Sequence, residues 1–287
     1  MANLKEIRSR ISSVGSTKKI TSAMKMVSAS KLKKAQDAIL NMRPYTLKLN
    51  QLLKDLRADM EGEIGGEYAQ AKPVSKVLLV AISSNRGLCG GFNSSIVKKV
   101  HKVSQNELNE KEVHLFTIGK KANDVLSKEQ QIYQFNSQIF NELNFNNASE
   151  IAQDLMNLFS AEKFDEIHLI YNQFKNAATQ VAVYEQFLPV KQEIQSDDFE
   201  GKDYIYEPEK AEIIESLIPK SLKMQLYKAL RESYAAEHGA RMTAMHMATD
   251  NANQLQKSLL LTYNKARQAA ITNEILEIVG GAEALNQ

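Results

Sequence analysis

Cysteine and tryptophan are scarce: the chain of 287 residues has no tryptophan and one cysteine, Cys89. A single cysteine excludes an internal disulfide framework and a cysteine-based zinc site. No stretch approaches the roughly 18 uninterrupted apolar residues of a membrane-spanning helix. The first residues, MANLKEIRSRI, also lack the apolar centre of a signal peptide. We therefore expect a globular protein that remains where it is made.

Proline is absent from both ends of the chain. The five prolines lie between residues 44 and 219, and proline-free ends are what long helices require. Near the amino terminus, apolar residues recur at intervals of three and four, with breaks in register that indicate a heptad-like seam with stutters. The predicted seam consists of Leu4, Ile7, Ile11, Val14, Ile20, Met24, Val27, Leu32, Ala35, Ile39 and Met42.

A second long helix is predicted at the carboxyl end. Ser221, after Pro219, can cap a helix that meets no strong breaker before Gly280 and Gly281. Its predicted seam consists of Ala248, Ala252, Leu255, Leu259, Tyr263, Ala266 and Ala270. Neither helix can bury its seam alone, so we expect an antiparallel coiled coil of the two chain ends. Aligning the helix bases, at about 1.5 Å per residue, brings Met24 level with about residue 243.

The middle of the chain alternates between two hydrophobic periods. Apolar runs at 76–82, 112–118 and 166–172 read as buried strands, with helical patterns at 94–108, 120–129 and 148–160 between them. This alternation predicts a mostly parallel, Rossmann-like sheet. Residues 179–190 add an antiparallel strand, and residues near 195–208 form an exposed connection. The predicted fold class is α/β, with a coiled-coil helix at 1–58, a Rossmann-like domain at 74–208 and a coiled-coil helix with a projecting tip at 209–287.

Charge is distributed unevenly although the net charge is only +2. Residues 1–43 carry ten Lys or Arg and two acidic residues, whereas residues 44–220 are net acidic. A basic arm is compatible with a nucleic-acid-binding coiled-coil adaptor. A solvated helix face explains the same charges without any nucleic acid, and we favour that interpretation.

The loop SSNRGLCGGFN follows the first predicted strand and precedes a helix, the arrangement that many phosphate-binding loops use. Its pattern G-L-C-G-G-F matches neither the dinucleotide fingerprint nor the phosphate loop with lysine. A nucleotide-binding enzyme on the central sheet therefore remains an alternative, and a tight strand-to-helix connection is favoured. The five histidines show no metal-ligand spacing. We predict no catalytic, cofactor-binding or metal-binding residues.

The last helix is predicted to extend about twenty residues beyond the coiled coil. This tip, ITNEILEIVGGAEALNQ, has three acidic residues and no Lys or Arg. Its apolar residues need a partner from elsewhere: Ile271, Ile275, Leu276, Ile278 and Val279. The methionines near both helices can fill an ordinary coiled coil or provide an adaptable contact surface.

Several segments resemble the family of F-type ATP synthase gamma subunits. The start, IRSRISSVGSTKKITSAMKMVSASKLKKAQ, is similar to that family's first helix, and SSNRGLCGGFN to its loop after the first strand, where Asn85 replaces the usual Asp. Residues 240–252 and 262–284 resemble its last helix. The signature I-T-x-E-x-x-[DE]-x-x-x-G-A-x-[SAKR] fits Ile271 to Ala284 without a mismatch.

The resemblance implies a central rotor shaft inside a hexamer of three alpha and three beta subunits. The shaft stands on the membrane ring of c subunits beside the epsilon subunit. Rotation driven by protons then produces ATP at sites on the beta subunits, while the shaft itself is not catalytic. It also implies a peripheral location on the cytoplasmic side of a bacterial inner membrane, with no nucleic-acid partner and no cofactor of its own.

The resemblance also assigns residues to contacts with the surrounding subunits. Met24 corresponds to the family methionine near the lever of the beta subunit, and Arg241 to the arginine at that level. Arg267, Gln268 and Thr272 match positions that contact the beta-subunit catch loops or influence coupling. With the apolar tip residues Ile275 and Val279, these are the expected partner-contact residues.

Overall fold

The computed structural model describes residues 4–58, 66–68, 73–190, 207 and 209–285. In chain order, the elements in these residues are α1 (Leu4–Ala58), a short 3-10 helix (Gly66–Tyr68), β1 (Lys76–Ile82), α2 (Phe92–Asn106), β2 (Glu112–Ile118), α3 (Lys120–Leu126), β3 (Ile132–Asn136), α4 (Phe145–Ser160), β4 (Glu166–Phe174), β5 (Gln180–Leu188) and α5 (Lys210–Leu285). The chain divides into two compact units, one of Met1–Ser28 with Met242–Gln287 and one of Ala29–Arg241. The predicted connection near 195–208 lies, apart from residue 207, outside the described residues.

The larger unit is built on a five-stranded sheet with the order β3-β2-β1-β4-β5. The first four strands in this order are parallel, and β5 is antiparallel to β4. Central β1 reads KVLLVAI because both of its faces are buried. Leu78, Val80 and Ile82 face a core that includes residues of α4 and α5, while alternate residues face α2 and α3. The predicted mostly parallel α/β fold is confirmed.

Edge strand β3 was not predicted from the sequence. Its residues, IYQFN, alternate between half-buried and exposed side chains, so it lacks the continuous apolar run that marks the central strands. It pairs with β2 through a register shift between Leu115 and Phe116. A short edge strand with one solvated face carries a weak sequence signal.

Helix α5 begins before Ser221, the candidate cap, and next to residue 209, where the predicted coiled-coil helix starts. It starts at Lys210 and continues through Pro219, which costs one backbone hydrogen bond. Buried Ile214, Ile218 and Leu222 flank this proline, so packing of the helix face offsets the local cost. At the other end the helix continues past Gly280 and Gly281 to Leu285. Helix α1 likewise continues through Pro44.

The smaller unit contains an antiparallel pair formed by the two chain ends, and its seam differs from the predicted one. Ile20 and Val27 are 60% and 57% exposed, whereas their neighbours Thr21 and Ser28 are buried. One residue turns a helical side chain by about 100°, so the apolar residues leave the seam here. The seam is instead formed by residues that are buried or half-buried and that follow alternating steps of four and three. This heptad spacing continues without stutters through residues 7, 11, 14, 18, 21, 25 and 28.

The seam of α5 shows the same departure. Leu255 is 51% exposed, and Gln256 takes the inward position beside Gly15, where a Cβ would lie 3.3 Å from the Gln256 Nε2. The predicted seam residue Ala270 is exposed as well. Polar side chains therefore occupy seam positions on both helices. Long side chains such as Lys18 can do so because their methylene stems pack while the charge reaches water.

Contacts across this pair correct the predicted level of Met24. Thr21 lies against Thr249, with 2.8 Å between the hydroxyl oxygens, and the Lys25 Nζ lies 3.4 Å from the His246 Nδ1. Met24 is therefore level with residues 246–249 and not with residue 243, a difference of about one helical turn. The prediction failed because it aligned the helix bases instead of the seam contacts.

No described helix carries an apolar stretch of the length and hydropathy that crossing a membrane requires.

Candidate functional site

The glycine loop, residues 85–91, connects β1 to α2 and is held by hydrogen bonds from its own chain. The hydroxyl of Ser84 donates to the Arg86 carbonyl at 2.7 Å. The backbone N–H of Ser84 donates to the Asn93 side chain at 3.0 Å. Asn85 donates its side-chain amide to the Ser137 carbonyl at 2.7 Å. These bonds favour the interpretation of a tight strand-to-helix connection.

The sheet order reverses between β1 and β4, where open α/β sheets commonly bind ligands beyond the carboxyl ends of the strands. In this chain, side chains of α5 pack there. Ala236 and Ala240 form a small apolar cluster with Cys89 and Phe92, and Phe174 packs against it. At Gly239 a Cβ would lie 3.2 Å from the Ala177 carbonyl oxygen, so the helix approaches closely. The ligand position of a Rossmann-type sheet is thus filled by the protein's own helix.

Arg241 lies at this same place, only 7% exposed. Its Nη1 donates to the Glu237 carboxylate at 2.6 Å. Its Nη2 donates to the backbone carbonyls of Arg86 at 3.0 Å and Gly87 at 3.3 Å. The guanidinium therefore bridges α5 and the glycine loop within the chain.

Burial shifts the pKa values of the titratable side chains around Arg241. Burial, with the nearby cations Arg241 and Lys31, lowers the pKa of His238 to about 3. The ring is thus neutral near pH 7, and its Nδ1 lies 3.5 Å from the Arg241 Nη1. Burial also raises the pKa of Glu237, an effect that Arg241 opposes. Burial raises the pKa of the Cys89 thiol.

The predicted contact residues differ in how far they are exposed to solvent, and they fall into three groups. Arg241 belongs to the larger unit and is buried. Met24, in the smaller unit, is half-buried beside the seam, whereas Met26 is 65% exposed. The others lie on the last turns of α5 and are exposed: Arg267, Gln268, Thr272, Ile275 and Val279. Along this tip the hydroxyl of Thr272 donates to the Gln268 carbonyl at 2.9 Å.

The tip is exposed on all sides. Every residue from 267 to 282 is exposed, and the antiparallel register brings the first described residue of α1, Leu4, level with about residue 267. The apolar tip residues therefore pack against no part of the described chain. A large exposed apolar surface of this kind is typical of a protein contact.

Further exposed apolar residues lie on the smaller unit, and the sequence indicated a contact surface only for the methionines among them. They share an outward position on the helix pair and consist of Ile20, Met26, Val27, Met247, Leu255, Leu260 and Leu261. Three of them, Ile20, Val27 and Leu255, were assigned to the seam. The unbroken heptad spacing, followed strictly through its polar positions, was the signal that could have identified them.

The described residues contain no group of three or more His, Cys, Asp or Glu side chains arranged to hold a metal ion.

Comparison with known proteins gives a consistent result. The family described as ATP synthase matches residues 3–285. The ATP synthase gamma chain of Christiangramia forsetii is 62% identical over 286 residues, covering 100% of both chains. The ATP synthase gamma chain of Flavobacterium johnsoniae is 61% identical over 289 residues, again covering 100% of both chains. The chain belongs to the family of ATP synthase gamma chains.

Two solved structures contain chains that are similar to this one. A chain of the Tetrahymena thermophila mitochondrial ATP synthase central stalk and c-ring is 29% identical, with a TM-score of 0.61, and the match covers 80% of this chain and 99% of that one. A chain of the Euglena gracilis mitochondrial ATP synthase rotor shares the fold at 19% identity, with a TM-score of 0.69 and coverage of 93% and 98%.

Proposed function

We propose that this chain is the central rotor shaft of a bacterial F-type ATP synthase. In this role it couples proton-driven rotation of the membrane c-ring to ATP synthesis at sites on the beta subunits. The observation that carries the proposal is the match, at 29% identity, to a chain of a solved central stalk and c-ring. The full-length identity to bacterial gamma chains supports it.

The described residues provide the features that such a shaft needs. A helix end that is exposed on all sides can enter a sleeve formed by other subunits, and its apolar residues suit a dry contact. The tip carries acidic residues and no Lys or Arg after Arg267, so it brings few cations that would lose hydration there. We assign the contacts with the c-ring and the epsilon subunit to the larger unit, which contains the sheet.

In this proposal the chain forms and breaks no covalent bond itself. Three alpha and three beta subunits surround it, and the asymmetry of the helix pair makes each beta subunit meet a different face. Rotation thereby changes the conformation of distant sites, a mechanical form of coupling between them. The chain resides at the cytoplasmic side of the inner membrane through its complex. Neither a nucleotide-binding enzyme nor a nucleic-acid adaptor is favoured by the comparisons.

Reconstitution with alpha and beta subunits tests the proposal. The purified chain should raise the ATP hydrolysis rate of an alpha and beta mixture. A probe attached to a Cys89→Ser, Glu110→Cys variant should then rotate in an immobilised complex when ATP is added. Stimulation without rotation would indicate a static activator, and the absence of stimulation by a folded chain would contradict any role in this complex.

A further inference from the structure

Leu88, in the glycine loop, has an unusual conformation. Its φ is +62°, in the left-handed region that side chains other than glycine rarely adopt. Its side chain is 65% exposed, so packing within the chain does not compensate for this strain. A strained backbone that presents an apolar side chain to the outside must be held in place by its surroundings.

The Ser84 hydroxyl and the Arg241 guanidinium hold the two loop carbonyls that precede Leu88. The Ser84 hydroxyl and the Arg241 Nη2 both donate to the Arg86 carbonyl, at 2.7 and 3.0 Å. The same Nη2 lies 3.3 Å from the Gly87 carbonyl oxygen. With these acceptors fixed, the peptide groups before Leu88 cannot rotate freely.

Glu237 orients Arg241 for this task. The two side chains are one helical turn apart on α5, and their 2.6 Å contact is buried. The Arg241 Nη1, which donates to Glu237, also lies 3.5 Å from the Nδ1 of neutral His238. A planar guanidinium can bind a carboxylate on one side and two carbonyls on the other, which a lysine ammonium cannot reproduce with the same geometry.

We infer that Arg241 is a positioning residue that acts through the glycine loop. In this inference it holds the Arg86 and Gly87 carbonyls and thereby presents Leu88 to the surrounding subunits, while Glu237 orients it. The inference rests on the proposed function for its effect on coupling. It differs from the direct contact with a beta subunit that the family resemblance implied, because the guanidinium is buried and bound within its own chain.

Cys89 allows the loop to be tested without any partner. It is the only cysteine, it is buried next to Leu88, and its sulfur contacts the Asn93 amide at 3.2 Å. In Arg241→Gln the loop should open more often, so thiol labelling of the full chain should become at least about tenfold faster. Burial raises the pKa of Cys89, and the charge of Arg241 opposes that rise. Loss of this charge alone would therefore leave less thiolate and slow the labelling.

Arg231→Gln is the matched control. Arg231 also lies on α5 and donates to a backbone carbonyl, that of Leu143 at 2.6 Å, away from the glycine loop. Its replacement should leave the labelling rate of Cys89 unchanged. Arg241→Lys should give an intermediate rate, since one ammonium can replace only part of the contacts. An unchanged rate in Arg241→Gln would overturn the inference.

A double-mutant cycle in the assembled complex tests the effect on coupling, read as proton pumping per ATP hydrolysed. If Arg241 acts through the loop, Arg241→Gln and Leu88→Ala each lower this ratio, and the double variant is no worse than the poorer single variant. Additive losses, or an unchanged ratio in either single variant, would overturn the inference. A wild-type chain that fails to stimulate the alpha and beta mixture would contradict the proposed function instead, because Cys89 labelling is independent of the complex.

Discussion

The hydroxyl oxygens of Thr21 and Thr249 lie 2.8 Å apart and share a hydrogen bond across the antiparallel pair. Two polar side chains thus meet in a seam whose neighbouring positions on α1, residues 18 and 25, are lysines. Each hydroxyl also lies within hydrogen-bond distance of a carbonyl oxygen of its own helix, Thr21 of Lys18 and Thr249 of Met245. The contact between the two hydroxyls forms only when these positions are level, so this register has a contact that a shifted register loses. The pair therefore specifies which residues of α1 and α5 lie at the same level.

Disulfide formation should report this register. In a Cys89→Ser background, Thr21→Cys with Thr249→Cys should form a cross-link on mild oxidation, because the two side chains already touch. Thr21→Cys with His246→Cys is the control, since base alignment would make those positions level, whereas His246 lies beside Lys25. Gel mobility measures both products, and preferential cross-linking of the second pair would show that the register is wrong.

Composition and spacing predicted the antiparallel pair, but not which residues face each other. The ends are free of proline and rich in three-and-four spacings, which is sufficient to identify two long helices. At Thr21 and Ser28 the seam positions are polar, and the nearest apolar residues, Ile20 and Val27, face outward. Apolar periodicity fails there because the apolar residue of each neighbouring pair lies on the outer face of the helix.

The role assigned to Met24 remains a prediction. Met24→Lys adds a cation beside the helix pair, and we expect it to lower proton pumping per ATP hydrolysed more than it lowers the melting temperature. Met26→Lys is a matched control two residues away on an exposed face. If the two variants behave alike, a specific role of Met24 is ruled out.

The tip should tolerate charge in the isolated chain and not in the complex. Ile275 and Val279 are exposed, so Ile275→Glu with Val279→Glu should change the free energy of unfolding by no more than about 0.5 kcal/mol per site. In the complex, buried carboxylates without partners are costly, and stimulation of ATP hydrolysis should fall. Ile275→Gln with Val279→Gln, which adds no charge, should fall less. Full stimulation by the glutamate variant would show that the tip enters no apolar sleeve.

Gly119 follows the last residue of β2 and packs against Ser83, just before the glycine loop. Its φ is +101°, and a Cβ there would overlap the Ser83 carbonyl, with its carbonyl carbon 2.7 Å away. Gly119→Ala should therefore destabilise the chain by at least about 2 kcal/mol. At Gly87 a Cβ meets nothing within 4 Å, so Gly87→Ala should have a much smaller effect in the same chemical denaturation measurement. Equal effects would contradict the described backbone.

The central strands and the loop were predictable from the sequence, and the partners of the loop were not. Runs such as KVLLVAI identify buried parallel strands because every residue after the initial lysine is apolar. Nothing in the local sequence indicates that Arg241, more than 150 residues from the glycine loop, donates to its carbonyls. For the same reason the sequence did not predict that the Tyr171 hydroxyl donates to the Glu185 carboxylate, at 2.8 Å within the β4–β5 hairpin.

His238 should make stability depend on pH. Its folded pKa of about 3 is below the ordinary value of 6.5, so the unfolded chain binds a proton over that interval while the folded chain does not. This contribution to stability is complete above pH 6.5 and is lost as the pH falls towards 3, at up to about 1.4 kcal/mol per pH unit. His238→Gln should flatten this part of the unfolding profile, measured by denaturation at several pH values. His246→Gln, at an exposed histidine in the other unit, is the control, and an unchanged slope in His238→Gln would show that another group titrates.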